Sequence, residues 1–84
     1  MNHQSTEVAV FLVGGLLLEQ APKAVIMTDE QLESYYEPAL QNFQDFMVND
    51  HRTVFTPDPP EQFRQMVLDH VRRYLDMRRM RYGL

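Results

Sequence analysis

Apolar residues recur at every third or fourth position along two stretches of this chain and fill a third without a break. The best-defined stretch is the last, from Asp58 to Arg81. Phe63, Val67, Val71, Tyr74 and Met77 form its apolar stripe, with Met66, His70 and Met80 beside it. Asp58 is placed to cap the free N–H groups of a first turn, and Pro59 suits the first helical position. Glu61 sets negative charge at the positive end of the helix dipole, and Gly83 marks a stop.

The middle stretch starts on equally local signals. Thr28 and Gln31 have capping-box spacing, and Met27 and Leu32 occupy the staple positions around them. Leu32, Tyr36, Ala39 or Leu40, Phe43 and Met47 follow at helical spacing. Pro38 removes one hydrogen bond and crowds the carbonyl of Ser34. The helix is therefore expected to kink there, or to divide in two with the second part starting at Pro38. Asn49-Asp50 closes the stretch, and residues 51–57 form a loop with Val54 and Phe55 tucked against the core.

Val8 to Leu18, VAVFLVGGLLL, holds eleven residues without one polar side chain. Gly14-Gly15 between apolar blocks is a hairpin signal, and Val8, Val10 and Val13 favour a strand. The run does not alternate, however, and Ser5 or Thr6 is available as a helix cap. As a helix it is apolar all round, and so must be central or covered by a partner. Gly14 and Gly15 each cost such a helix up to about 1 kcal/mol while admitting another backbone closely. Ala21-Pro22 ends it. The predicted fold is a small all-α, three-helix domain with a kinked middle helix. The alternative is an N-terminal β-hairpin packed on two helices.

Length and composition narrow the picture. The 84 residues suffice for one domain, 1–84, near the lower limit for a self-sufficient core, with residues 1–4 expected to fray. Residues 8–18 fall short of the roughly 20 that a bilayer span needs, and no basic residues precede them as in a signal peptide. No membrane span and a cytoplasmic location are expected. The absence of cysteine excludes disulfides and thiolate metal sites. His3, His51 and His70 are isolated from one another, so no metal or cofactor is expected. Glu30, Glu33 and Glu37 share one helix face, which reads as solvated acidic surface rather than an acid–base pair. His70 reads as a core-edge histidine bonded to a carboxylate or carbonyl.

Charge adds the strongest functional signal. The net charge of −4 divides into −8 over residues 1–63 and +4 over residues 64–84. Arg72, Arg73, Arg78, Arg79 and Arg81 crowd toward the C-terminus, where the dipole favours cations and the acidic middle helix can pair with them. With Tyr74, Met80 and Tyr82 they have the composition of a protein-binding surface. Tyr35 and Phe46, off the main stripe of their helix, extend that list. Phosphate binding is the second reading, disfavoured because the chain as a whole is acidic. Pro60-Glu61-x-Phe63-Arg64, with Val67, Val71 and Arg73-Tyr74, resembles the last helix of the theta subunit of bacterial DNA polymerase III. That likeness is confined to the one helix, and no function is carried over from it. The sequence therefore predicts a non-enzymatic regulatory or accessory protein. It is expected to bind a protein partner, or to self-associate through residues 8–18, with a nucleic acid as the alternative partner.

Overall fold

The computed structural model describes the backbone of residues 3–82 and the side chains of residues 6–81. Four helical segments follow in order: α1, His3–Gln20; α2, Asp29–Glu33; α3, Tyr36–His51; and α4, Pro60–Tyr82, with a 3-10 turn at Ala24–Ile26 between α1 and α2. Segments α2 and α3 together make the bent middle helix, and no strand occurs among the described residues. The all-α expectation holds. The hairpin alternative does not, since residues 8–18 lie wholly within α1. That helix already includes His3, so Ser5 and Thr6 lie within it rather than at its start. Of the start expected to fray, residues 1–4, Met1 and Asn2 lie outside the described residues, as does Gly83, the expected stop, while His3 and Gln4 belong to α1.

The middle helix starts as its spacing predicts. Thr28 Oγ1 accepts from the Gln31 N–H at 3.2 Å while Gln31 Oε1 accepts from the Thr28 N–H at 2.9 Å. The break comes two residues before the expected point. The N–H groups of Ser34 and Tyr35 reach back only three residues, to Gln31 and Leu32. Helix α3 then restarts at Tyr36, which places Pro38 in a first turn where its missing N–H has little to lose. At the far end Arg52 takes a left-handed conformation, φ 53° and ψ 37°. The N–H groups of Arg52 and Thr53 close the helix on Val48 and Met47.

Helix α4 starts one residue later than its sequence suggests. The Asp58–Pro59 peptide is cis, Pro60 is the first helical residue, and the Pro59 carbonyl accepts from the Phe63 N–H at 3.1 Å. Asp58 is therefore not the capping residue. The inward row also differs. Phe63, Val67, Val71 and Leu75 are buried, whereas Tyr74 and Met77 are exposed. Steps of four follow the i±4 ridge by which helices commonly interlock. The row ends on Arg79, which turns in against Val25.

Helix α1 packs against both α3 and α4, which makes it the central element. Ala9, Val10, Val13 and Leu17 are its buried side. Gly14 lies directly under α4. A Cβ there would come within 3.0 Å of His70 Cδ2 and 3.4 Å of Val71 Cγ2, so the missing side chain sets how closely the two helices approach. Beneath them, Phe55 bridges the outer helices, edge-on to Phe43 at 5.1 Å and tilted against Phe63 at 5.3 Å. Phe55 is tucked in as expected. Val54 is 80% exposed and is not, because its extended loop can turn only one of two adjacent side chains inward.

Candidate interaction surface

The helix apolar on every side has a face that no described residue covers. Val8, Phe11, Leu12 and Gly15 recur at three and four along α1 and are exposed, with Phe11 at 63%. A Cβ built on Gly15 would meet no atom of the described residues within 4 Å, in contrast to its neighbour Gly14. The result is an apolar groove of about 690 Å³ across α1, walled by Asn42 and Phe46 of α3 on one side and by His70 and Tyr74 of α4 on the other.

The side chains of the walls are held from within. The His70 ring meets Phe11 edge-on at 5.6 Å and abuts Gly14. No hydrogen bond from it to a carboxylate or carbonyl occurs among the described residues, so the expected polar partner is replaced by aromatic packing. Phe46 leans edge-on against His51 at 4.9 Å. Tyr74 accepts a hydrogen bond from Arg78 Nη1 at 3.1 Å, and the Arg78 guanidinium lies 5.8 Å from the centre of its ring. Tyr74, Met77, Arg78 and Arg81 share one face of α4, so the α4 wall continues into an exposed strip of mixed Arg, Tyr and Met.

The arginines separate into two groups. Arg72 Nε donates to Asp29 Oδ1 at 2.8 Å, its Nη2 joins the same oxygen, and it also reaches the Met27 carbonyl at 3.4 Å. Arg79 clasps the Val25 carbonyl through Nε, at 3.1 Å, and through Nη2. Arg64 pairs with Glu33 at 2.7 Å. These three tie α4 to residues 25–33, and that role accounts for their positions. Arg73, Arg78 and Arg81 are exposed.

Of the residues the sequence nominates, Phe46, Tyr74, Arg78 and Arg81 therefore lie on the groove or its extension, and Arg73 is exposed on the same helix. Arg72 and Arg79 serve the fold instead. Tyr35 is half-buried at the α2–α3 junction and packs on the core. The side chain of Tyr82 lies outside the described ones. Sequence reasoning nominated residues 8–18 as a self-association surface without singling out Phe11, Leu12 or Gly15, because unbroken apolarity does not say which side stays open. His70, placed beside the α4 stripe, was read as a core-edge histidine and not as a contact residue. Glu33 is taken up by Arg64, while Glu30 and Glu37 are exposed. Among the described residues no three His, Asp or Glu side chains gather as metal ligands, and no helix is long and apolar enough to cross a membrane. Comparison with protein-family models, with curated proteins and with solved structures finds no match for this chain.

Proposed function

We propose that the chain is a small regulatory or accessory protein that acts by binding protein, without chemistry of its own, through the groove across α1. The observation that carries this reading is the exposed row Val8, Phe11, Leu12 and Gly15, flanked by Phe46 and Tyr74. Apolar and aromatic side chains gathered in one depression, rimmed by arginine, are the composition of interface centres. Phosphate binding has less to support it, since Arg64, Arg72 and Arg79 are engaged with residues 25–33 and Arg78 with Tyr74.

A benzophenone side chain in place of Phe11 tests the proposal, with one in place of Ile26, which is also exposed, as control. Irradiation in cells is expected to give a protein adduct from position 11 alone, lost when Leu12→Glu is added. No adduct, equal adducts from both positions, or adducts removed by nuclease would overturn it.

A further inference from the structure

Taking that groove as a protein-binding site, the two ends of its floor identify the occupant. Glu7, Phe11, Gly15 and Glu19 follow one another at steps of four on α1 and so form one i±4 ridge, the kind along which helices commonly interlock. All four are exposed, and neither carboxylate has a hydrogen bond or ion pair among the described residues. Glu19 lines the groove itself, where no Asp, Lys or Arg joins it among the described residues. Val8 and Leu12 are exposed beside the ridge and widen its apolar centre. The open face of α1 thus reads acid, apolar, acid over about 18 Å. The flanks do not change that sign. Asp45 on α3 and Arg73 on α4 are exposed, on opposite sides, and opposite in charge. Arg78 and Arg81 line the strip beyond Tyr74 rather than the groove, and Arg78 is engaged with Tyr74 there.

We infer that the groove takes a helix of another protein, apolar along one ridge and carrying a Lys or Arg at each end of it, so that the two bases meet Glu7 and Glu19. An extended segment would bring unpaired backbone N–H and C=O groups onto an apolar floor, with no sheet edge among the described residues to receive them. A helix satisfies its own backbone and offers side chains at three- and four-residue steps to the gaps beside the ridge. The widest gap is at Gly15, where a large apolar side chain of the partner seats between Phe11 and Phe46. Ridges packed in this way run side by side, so the partner's two bases stand about twelve residues apart, as Glu7 and Glu19 do. A second copy presenting this same ridge, in either direction, sets carboxylate against carboxylate at both ends. A phosphate backbone or an anionic lipid surface meets the same opposition.

Two fluorescein-labelled peptides, held helical by a hydrocarbon staple on the polar face, test the inference by anisotropy. Both carry Leu along one i±4 ridge; one has Lys at the two ends of the ridge, twelve residues apart, and the other has Glu. The parent chain is expected to bind the lysine peptide about tenfold or more tighter than the glutamate peptide. Glu7→Lys with Glu19→Lys should reverse that order, and Phe11→Glu should abolish binding of either peptide. Glu30→Lys with Glu37→Lys makes the same change in net charge at exposed positions outside the groove and should leave the order as it was. All the substituted side chains are exposed, so helicity by circular dichroism should be unchanged. Equal binding of the two peptides, no binding of the lysine peptide, or the same response to both double variants would overturn the inference. So would sedimentation that finds a dimer dissociated by Phe11→Glu. If position 11 nonetheless cross-links to protein in cells, any of these results sinks the helix-and-base inference alone. If irradiation gives no adduct, the binding reading falls with it.

Discussion

The His70 imidazole occupies the space that a side chain on residue 14 would need, its Cδ2 lying 3.0 Å from where that Cβ would stand. One position along the helix, the same construction at Gly15 meets nothing among the described residues. Two adjacent glycines of equal helix-forming cost therefore do different work. One permits α1 and α4 to pack, and the other leaves the groove open.

That contrast predicts opposite responses to added bulk. Gly15→Ala should stabilise the fold by up to about 1 kcal/mol through helix propensity alone. Gly14→Ala should gain less, since His70 and Val71 must yield, and Gly14→Leu should lose about 1–3 kcal/mol to overpacking. Urea unfolding measures all three. Equal effects at the two positions would mean that α4 does not depend on the gap at Gly14.

The arginines should likewise separate in a stability measurement. Arg79→Ala removes the donors to the Val25 carbonyl, a part-buried acceptor, and should cost about 1–2 kcal/mol. Arg72→Ala loses a pair whose Asp29 is largely exposed, and about 0.5–1 kcal/mol is expected. Arg73→Ala and Arg81→Ala should stay within about 0.5 kcal/mol of the parent. Thermal melts of the four variants decide it. A loss at Arg81 as large as that at Arg79 would contradict the division into structural and surface arginines.

How far the sequence foretold this depends on how local each signal is. The Thr28–Gln31 box spans four residues and is realised atom for atom, because nothing distant competes with it. The start of α4 was misplaced by one residue, since Asp58-Pro59-Pro60 offers two prolines for the first helical position and composition does not choose between them. Tyr74 and Leu75 exchange places for a related reason. Steps of three and of four both fit an amphipathic helix, and only the packed neighbour selects one row. The role of α1 as central helix followed from its apolarity, but its open face could not, because an all-apolar helix has no periodicity to orient it. Arg72 and Arg79 reach partners more than forty residues away in the chain, a distance at which spacing carries no information.

Arg52 offers a prediction at the level of the backbone. Its φ of 53° places it in the left-handed region, which costs a residue with a Cβ roughly 1 kcal/mol and glycine almost nothing. Its side chain is exposed, and the closing bonds of α3 use only its backbone. Arg52→Gly should therefore raise stability by about 0.5–1 kcal/mol, whereas Arg52→Val should lower it. Chemical denaturation of both variants settles the sign. A destabilised glycine variant would show that the guanidinium contributes more than the turn costs.

Tyr36 ties stability to alkaline pH. Burial first, and then the negative charge of Glu37, push its hydroxyl up from 10.0 to about 12, against the smaller opposing effect of Arg64. The unfolded chain releases this proton near pH 10 while the folded chain retains it to about pH 12. Below pH 10 both states are protonated, and the fold has the full benefit of burying a neutral ring. As pH rises through the window from 10 to 12, the unfolded state binds fewer protons than the native state, so the slope of stability against pH is negative. A loss on the order of 2 kcal/mol is expected across it. Tyr36→Phe removes the titrating group while keeping the ring, so the difference between parent and variant isolates this contribution from the other groups that ionise in base. The gap between their unfolding midpoints should be constant below pH 10 and should shift in favour of the variant above it. A gap that stays constant to pH 12 would mean that the Tyr36 hydroxyl ionises equally well in the folded and the unfolded chain.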